Sequence, residues 1–413
     1  MSSPVWHPFT QHALTPDFPL IETGDGAWLT DQGGKRILDA ISSWWVITHG
    51  HRHPKIMAAI ETQAKKLDQV IFADFSHQPA EDVARGLIEI APEGLTRVFF
   101  SDSGSTAVEV GLKMALGYWK AQARPRQRIV ALQHAYHGDT IGAMAVGARG
   151  LFNAPYEPLL YDVDRLPFPS GGDTLAALEK HAPDAAALIV EPLLLGAGGM
   201  LTYAPETLAA MKKICERHGV LFIADEVLTG FGRTGTLFAC EQAGVAPDIL
   251  CLAKGLSGGA LPLAATLASE EIFQAHYSPD RARTFFHSSS FTANPIACAA
   301  ARANLEIWKE EPVMARIQAL AAAQQQRLDG FADDPRFCGL RRIGTVTALD
   351  LKVADPGYLS SLGPDLSRFF LEKGVLLRPL GNTIYVMPPY CVTAAELDLV
   401  YDAIREVADR FVT

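Results

Sequence analysis

The feature that most constrains the fold is a series of short apolar runs between about residues 97 and 267. Each run is followed by a polar or glycine-rich turn and then by a helical stretch. Strands that are buried on both faces of a parallel sheet have nearly continuous apolar sequences of this kind. Helix candidates with apolar residues three and four apart lie between the runs, at residues 106–123 and 205–218. The runs are VFFSDSGS, IVALQHAYHGD, ALIVEP, LFIADEV, ILCLAKG and LAATLAS. The pattern predicts an α/β fold with a mostly parallel central sheet and helices on both of its faces.

The pattern of apolar and polar residues changes toward both ends of the chain. From about residue 304, a long Ala/Gln/Leu-rich helix, short alternating runs and a final helix predict a smaller α+β domain. Near the other end, WLTDQGGKRILDA predicts a hairpin with a Gly-Gly turn. We therefore expect residues 1–50 to join the small domain and the dimer contact, residues 51–303 to form the large domain, and residues 304–413 to form the small domain.

Charge and composition narrow the class of partner. The chain of 413 residues has 36 Lys and Arg against 46 Asp and Glu, a formal net charge of −10, which is opposite to the footprint of a nucleic-acid binder. We find no targeting segment, and Glu191 and Pro192 interrupt the most apolar stretch, so we expect no membrane contact. The six cysteines form no C-x-x-C pair. The expectation is a cytoplasmic protein with reduced thiols and small-molecule partners.

Residues just after the apolar runs are the ones to examine for chemistry, because ligands of open parallel sheets bind beyond the carboxyl ends of the strands. Gly104 and Ser105 begin a predicted helix, where free backbone N–H groups and the helix dipole favour an anion such as a phosphate. Asp225 and Lys254 each end a run. Separately, these residues have ordinary explanations as helix caps and strand ends. Together they meet the needs of pyridoxal 5'-phosphate, which takes a lysine amine, an aspartate at its ring nitrogen and a cradle for its phosphate.

Six ordered segments carry a family resemblance over essentially the whole chain. They are SGSTAVE, AYHGDT, VEPLLLGAGG, ADEVLTGFGRTG, DILCLAKGLSGG and SSSFTANPIACAAA. This set resembles that of the class III (omega) aminotransferases, which have the pyridoxal-phosphate fold type I. The resemblance implies a homodimer with shared active sites. It also implies the catalytic residues Lys254, Asp225 and Tyr136, with Lys254 bound to the cofactor as a Schiff base.

The same resemblance implies a set of residues around the cofactor. Gly104 and Ser105 would hold the phosphate, helped by Ser289 and Ser290 from the other subunit. Tyr136 would stack on the ring and Val227 would pack on the opposite face. The implied cofactor-binding set is therefore Gly104, Ser105, Tyr136, Asp225, Val227, Lys254, Ser289 and Ser290.

Further segments point to one branch of the class. VWHPFTQ, ISSWWVITHGHRHP, AYHGDTIGAM and LLRPLGNTIYVMPPY resemble the branch that makes 7,8-diaminononanoate for biotin biosynthesis. That resemblance implies 8-amino-7-oxononanoate as acceptor and S-adenosylmethionine as donor. Arg378 would bind the carboxylate of the acceptor, for which a planar guanidinium is well suited. The implied substrate-binding set is Phe9, Trp44, Tyr136, Asp139, Arg233, Ser288 and Arg378.

The chain departs from the family pattern at three positions. Phe9 replaces a tyrosine, which keeps a ring face but removes a hydroxyl. Ser288 replaces a glycine that lines the substrate site, and Leu195 replaces a glutamine without an evident consequence. These changes leave the amino donor open. The alternatives are another omega-aminotransferase that uses a diamine, lysine or a β-amino acid, and a catalytically silent binding protein of the same fold.

Other features have structural interpretations. His49, His51 and His53 alternate as metal ligands can, but similar His-Pro turns precede helices in this class, so we expect no metal. The glycines of TGFGRTG have the wrong spacing for a dinucleotide site. Cys251 lies within an apolar run and is expected in the core rather than as a nucleophile.

Overall fold

The computed structural model describes residues 3–15, 17–124, 126–169, 173–358 and 362–412. Its strands are β1 (Ile21–Asp25), β2 (Trp28–Asp31), β3 (Arg36–Asp39), β4 (Leu95–Ser101), β5 (Arg128–Leu132), β6 (Asp164–Leu166), β7 (Ala185–Val190), β8 (Leu194–Leu195), β9 (Leu201–Thr202), β10 (Leu221–Asp225), β11 (Ile249–Leu252), β12 (Ala264–Ser269), β13 (Phe337–Ile343), β14 (Val346–Leu351), β15 (Val375–Leu376) and β16 (Thr383–Val386).

The helical segments alternate with these strands through the middle of the chain. They are α1 (Ser42–Trp45), α2 (Pro54–Ala64), α3 (Gln78–Ile90), α4 (Gly104–Ala121), α5 (Ile141–Val146), α6 (Asp173–His181), α7 (Pro205–His218), α8 (Glu270–His276), α9 (Pro295–Glu310), α10 (Val313–Asp329), α11 (Leu362–Glu372) and α12 (Ala394–Phe411). Short 3-10 turns lie at Ala154–Leu159, Ala182–Asp184, Ala239–Ala243, Lys254–Ser257 and Arg281–Arg283.

The central sheet has seven strands in the order β4-β12-β11-β10-β7-β5-β6. The strands from β11 through β10, β7 and β5 to β6 pair in parallel, whereas β12 is antiparallel to both of its neighbours. Each of the six apolar runs forms one of these strands, which confirms the predicted fold class. The short strand β6 was not predicted, because three residues are too few to carry a periodic signal.

Helices cover both faces of this sheet. Alternate residues of one strand point to opposite faces, so Val130 belongs to the core that also contains residues of α3, α7 and α9, while Ile129 belongs to the core on the other face, with residues of α4. The helix predicted at residues 205–218 has those bounds, and the one predicted at residues 106–123 begins two residues earlier, at Gly104. Cys251 lies fully buried in β11 between these layers.

The two ends of the chain form a second body with its own core. The predicted hairpin joins β2 to β3, and β15 pairs in parallel with β3 near the other end of the chain. A three-stranded sheet of β13, β14 and β16 packs with α10, α11 and α12. The boundary predicted between residues 303 and 304 lies inside α9, whose Ala301 faces the large core and whose Ala303 faces the small one. The three-part division of the chain stays a prediction.

The state of the cysteines and the character of the helices are the next features of the fold. All six cysteines are free, with Cys338 and Cys391 exposed and the others buried. Among the described residues, no helix combines the length and the apolar character needed to cross a bilayer.

Candidate active site

The site lies where the central strands end. Asp225 is the last residue of β10, Lys254 follows β11 by two residues, and Gly104 begins the helix that follows β4. Because β4 runs in the same direction as β11, the three residues meet at one edge of the sheet. They surround a cavity of about 420 Å³, and the predicted cofactor residues other than Ser289 and Ser290 all line it: Gly104, Ser105, Tyr136, Asp225, Val227 and Lys254.

Lys254 presents a buried amine to this cavity. Its backbone is left-handed, with φ of 46°, and its Nζ lies 4.7 Å from the centroid of the Trp45 ring. Within the described ranges, Nζ makes no hydrogen bond or ion pair. Burial lowers the pKa of Lys254 to about 8, although the carboxylates of Asp225 and Glu191 partly oppose that shift. A buried amine with a lowered pKa is the form of lysine that acts as a nucleophile and proton carrier.

Asp225 is held in one orientation by two hydrogen bonds. Its Oδ2 accepts from His137 Nδ1 at 2.6 Å, and its Oδ1 accepts from the Val227 N–H at 3.1 Å. A carboxylate offers only acceptors, so His137 carries the proton on Nδ1. The His137 partner was not predicted, although this residue follows strand β5 at the same edge of the sheet.

The N-terminus of α4 forms an anion cradle. Ser103 caps the helix through its hydroxyl, which accepts from the Thr106 N–H at 3.2 Å. Gly104 and Ser105 lie in the first turn of the helix, where no helical carbonyl is available to accept from their N–H groups. Both residues line the cavity. A Cβ at Gly104 would lie 2.6 Å from Val227 Cγ1, so only glycine fits this close approach. The cradle has the free donors and the dipole that a phosphate requires.

These groups fit pyridoxal phosphate. An unpaired buried amine, an oriented carboxylate and a helix N-terminus border one cavity, and they match the aldehyde, ring nitrogen and phosphate of that cofactor in chemistry. Val227 and Tyr136 supply an apolar and an aromatic surface for the faces of the ring.

Glu191 is a part of the site that the sequence analysis missed. It follows β7 at the same edge as Asp225, and its side chain is buried. Its Oε1 accepts from the Tyr136 N–H at 2.9 Å and its Oε2 from the Gly196 N–H at 3.0 Å. Burial raises the pKa of Glu191 to about 7, which the two backbone donors partly oppose. The carboxyl of Glu191 therefore connects the Tyr136 loop to the loop after β8. Glu191 follows a strand, and the same kind of position led to the prediction of Asp225, so the sequence did contain a signal for it.

Tyr136 separates the cofactor cavity from a second one of similar size. Both cavities are lined by Tyr136 and Gly138, and the second also contains Asp139 and Phe152. The Asp139 N–H donates to Ser105 Oγ at 3.1 Å, so the loop after β5 is anchored to the phosphate cradle. Asp139 thus lines the second cavity while its backbone contacts the phosphate cradle.

Phe9, Trp44 and Arg378 meet at the far end of the site and form what we call the tail cluster. The Arg378 guanidinium lies 5.0 Å from the Trp44 ring centroid, and its Nη2 donates to the Phe9 carbonyl at 2.9 Å. The Phe9 ring meets Trp44 edge-on at 5.7 Å and Phe152 at 5.8 Å. Since Phe152 lines the second cavity, the cluster adjoins it. Three predicted substrate residues from remote parts of the chain are brought together here.

The residues that line these cavities do not include Arg233, Ser288, Ser289 or Ser290. Arg233 is buried, and its guanidinium donates to the carbonyls of Ile47 at 2.8 Å and Pro388 at 3.0 Å. Ser288 and Ser290 are exposed. The Ser289 hydroxyl donates to Asp102, which lines the cofactor cavity of the same chain. Roles for these four predicted residues in binding substrate or cofactor stay predictions.

Comparison with known proteins agrees with this geometry. The family model described as aminotransferase class III matches residues 10–408. The adenosylmethionine-8-amino-7-oxononanoate aminotransferase of Synechococcus elongatus is 48% identical to this chain, with 98% of each chain covered. The crystal structure of the enzyme with that name from Methanocaldococcus jannaschii has 35% identity and a TM-score of 0.93, covering 98% of this chain and 97% of the other. An amine transaminase from an uncultivated Pseudomonas species, solved in its pyridoxal-phosphate-bound form, has 33% identity and a TM-score of 0.93, with 99% of each chain covered.

Proposed function

This chain belongs to the class III aminotransferases, as its motifs predicted, and we propose that it converts 8-amino-7-oxononanoate to 7,8-diaminononanoate with S-adenosylmethionine as amino donor. The family works with pyridoxal phosphate, which supplies an aldehyde for the amino group and a ring that withdraws electrons. The observation that carries the proposal is the buried Lys254 amine, which faces a cavity with Asp225 on one side and the free N–H groups of α4 on another.

Each residue at the cofactor end has a task in this reaction. Lys254 Nζ holds the cofactor before the substrate arrives and afterwards carries a proton to and from the substrate carbon that bears the nitrogen. The Asp225 carboxylate, oriented by His137, keeps a proton on the ring nitrogen. The N–H groups of Gly104 and Ser105 bind the phosphate. A binding protein without catalytic activity would need neither the amine nor the carboxylate.

The tail cluster gives the acceptor its binding site. We propose that the Arg378 guanidinium pairs with the carboxylate at the far end of 8-amino-7-oxononanoate, while the rings of Phe9 and Trp44 border its chain. The Phe9 carbonyl that now accepts from Arg378 is a neutral acceptor, so a carboxylate that pairs with two guanidinium N–H groups is a stronger partner. The second cavity, which contains Asp139, lies between this cluster and Tyr136.

We also propose that the enzyme is a cytoplasmic homodimer. Large apolar side chains are exposed next to Ser288, Ser289 and Ser290, at Phe286 and Phe291, and also at Ile71 and Phe75, close in the chain to Gln69, which donates to the Ser290 carbonyl. Each of these four side chains is at least 60% exposed. Exposed apolar patches mark protein contacts. A second copy on this face would cover these side chains and bring Ser290 toward the partner's phosphate. The free cysteines support a reducing compartment.

A second candidate function is transamination with another amine donor. The similarity to an amine transaminase at 33% identity supports it, as does Phe9, which offers a ring but no hydroxyl to a donor. The two candidate functions use the same residues around the cofactor. They differ only in the substrate that the remainder of the site binds.

A single-turnover assay on the purified, cofactor-loaded protein separates the candidates. S-adenosylmethionine, lysine and a simple diamine are added separately, and the change in the visible absorption of the bound cofactor reports amino transfer. The enzyme that has taken up an amino group from the donor is then mixed with 8-amino-7-oxononanoate, and 7,8-diaminononanoate is measured by mass spectrometry. We expect rapid transfer from S-adenosylmethionine and formation of the diamine.

The exposed Lys309, which pairs with Glu89 far from the cavity, provides a matched control. Lys309→Ala should behave as wild type, and Lys254→Ala should form product at least about 100-fold more slowly. Transfer from lysine or the diamine but not from S-adenosylmethionine would support the second candidate. An unchanged rate in Lys254→Ala would refute both.

A further inference from the structure

The turn that carries both tryptophans has an unusual backbone. Ser42, Ser43, Trp44 and Trp45 form α1, and all four have positive φ, at 54°, 45°, 68° and 73°. None is a glycine, and consecutive left-handed residues with side chains are strained. Such strain persists only where surrounding contacts impose it. The turn therefore needs an anchor.

The strained turn sends its two rings to different ends of the site. The Trp45 ring lies 4.7 Å from Lys254 Nζ and lines the cofactor cavity. The Trp44 ring lies in the tail cluster, 5.0 Å from the Arg378 guanidinium. Trp44 and Trp45 are adjacent in the chain, so their rings can reach the two ends of the site only while the backbone of the turn keeps this conformation.

Asp39 provides the anchor. It ends strand β3 and is fully buried. Its Oδ1 accepts from the N–H groups of Ile41 at 3.3 Å and Ser43 at 2.9 Å, and its Oδ2 accepts from the Ser43 hydroxyl at 2.7 Å and His51 Nε2 at 2.8 Å. One carboxylate thus satisfies four donors around the start of the turn, and strand pairing of Asp39 with Leu376 in β15 holds its backbone.

Other contacts brace the remainder of the turn. The Ser42 hydroxyl donates to the Met387 carbonyl at 2.7 Å, and Trp45 Nε1 donates to the Tyr385 hydroxyl at 3.1 Å. Arg233, predicted to bind substrate, donates to the Ile47 carbonyl just beyond the turn. These contacts hold the side chains at both ends of the turn and the backbone just beyond it, whereas Asp39 accepts from the N–H groups of Ile41 and Ser43.

We propose that Asp39 is a positioning residue for substrate recognition, holding the left-handed turn so that Trp45 faces the lysine and Trp44 borders the substrate tail. The inference rests on the proposed function of the tail cluster. Asp39 touches neither substrate nor cofactor, and it acts through the turn. Its loss lets the turn relax and moves Trp44 away from Arg378.

Asp39→Ala in the cofactor-loaded enzyme is the direct test, with kinetics expressed per bound cofactor. We expect the KM for 8-amino-7-oxononanoate to rise about tenfold and kcat/KM to fall about 100-fold, the size of effect that a misplacement of about 1 Å produces. Asp39→Asn keeps an oxygen for the Ile41 and Ser43 N–H groups and should recover most of the wild-type KM. Ser43→Ala removes one donor only and should raise KM roughly threefold.

Asp248→Ala is the matched control, because that carboxylate also accepts a backbone N–H, from Phe222 at 2.7 Å, but lies away from the cavity. A merely structural effect lowers melting temperature and cofactor content in both variants and leaves KM unchanged. Near-ultraviolet circular dichroism gives a readout without substrate. The tryptophan signal should change in Asp39→Ala and not in Asp248→Ala.

The outcomes distinguish the two proposals. If wild type does not use 8-amino-7-oxononanoate, the proposed function is wrong, and the dichroism comparison still tests whether Asp39 holds the turn. If wild type turns it over and cofactor-loaded Asp39→Ala keeps the wild-type KM and tryptophan signal, Asp39 is not a positioning residue. Should Asp39→Ala fail to fold, an unchanged KM in Ser43→Ala overturns the inference.

Discussion

The two ends of the site are built in opposite ways. At the cofactor end, Asp225, Lys254 and the N-terminus of α4 follow the ends of three strands of one sheet, Asp225 is buried, and burial lowers the pKa of Lys254. The tail cluster is assembled from an N-terminal loop, the turn after β3 and the segment after β15. Phe9 is 45% and Trp44 38% exposed.

The difference separates chemistry from substrate choice. Burial at the cofactor end lowers the pKa of Lys254 and strengthens its interaction with Asp225, so a small change there alters the reaction itself. The tail cluster offers a half-buried cation and two aromatic rings, which can bind a tail without taking part in proton transfer. Substitutions at the two ends should therefore affect different kinetic constants.

The largest effect is expected from Lys254→Ala. Without the Nζ that moves the proton, kcat should fall by about 10²–10⁴-fold for every donor, since proton transfer by a positioned group contributes about that factor. Stopped-flow absorption of the bound cofactor checks the loss. If Lys254→Ala lost activity with only one donor, Lys254 would act in binding that donor, which contradicts its role in the proton transfer.

Asp225→Asn should have the next largest effect. Asparagine can still accept from the Val227 N–H, but a neutral group no longer favours a proton on the ring nitrogen. We expect kcat to fall at least about 100-fold with little change in the acceptor KM, as for loss of one preorganised electrostatic group. Steady-state kinetics with two acceptors of different length check this. A rise in KM without a fall in kcat would contradict the assigned role.

Arg378→Ala should act at the other end. A hydrogen bond to a charged group contributes about 1.5–3 kcal/mol, so the KM for 8-amino-7-oxononanoate should rise roughly 10- to 100-fold while kcat changes little. Measurement with a simple amine that lacks a carboxylate provides the control, because its transfer should be unaffected. An effect confined to the donor would show that Arg378 binds the other substrate.

Phe9→Ala should have the smallest effect. Loss of an edge-on aromatic contact with Trp44 costs about 0.5–1.5 kcal/mol, or roughly 2- to 10-fold in the acceptor KM. Phe9→Tyr adds a hydroxyl and keeps the ring, so it separates the stacking from the hydrogen bond. If Phe9→Tyr changed only the donor kinetics, the hydroxyl missing from this chain would be a donor contact.

The same contrast explains what could be predicted from the sequence. Asp225 and Lys254 end apolar strands, and strand ends converge at one edge of a parallel sheet, so their meeting follows from local pattern and topology. Glu191 had that signal too and was missed because a carboxyl after a strand has many ordinary explanations. The resemblance, rather than any pattern, suggested Phe9, Trp44 and Arg378.

Two features of the site could not be predicted from the sequence because specific side-chain contacts determine them. The left-handed turn at Ser42–Trp45 runs against residue preference, and it is held by four hydrogen bonds to Asp39 together with the side-chain contacts of Ser42 and Trp45. The family resemblance implied that Arg233 binds substrate, and in this structure its guanidinium donates to the backbone carbonyls of Ile47 and Pro388. The Arg233 contacts join residues far apart in the chain, and a single turn held by one nearby side chain has no repeat, so neither arrangement leaves a periodic signal.

The division of labour between the two ends is tested most directly with 8-amino-7-oxononanoate and its methyl ester, which lacks the negative charge on the tail. The measurement is the ratio of kcat/KM for the two acceptors in wild type, Arg378→Ala and Asp225→Asn. We expect wild type to prefer the free acid by about 10-fold or more. Arg378→Ala should lose that preference, and Asp225→Asn should keep it although both of its rates fall. An unchanged ratio in Arg378→Ala, or a lost one in Asp225→Asn, would contradict the account.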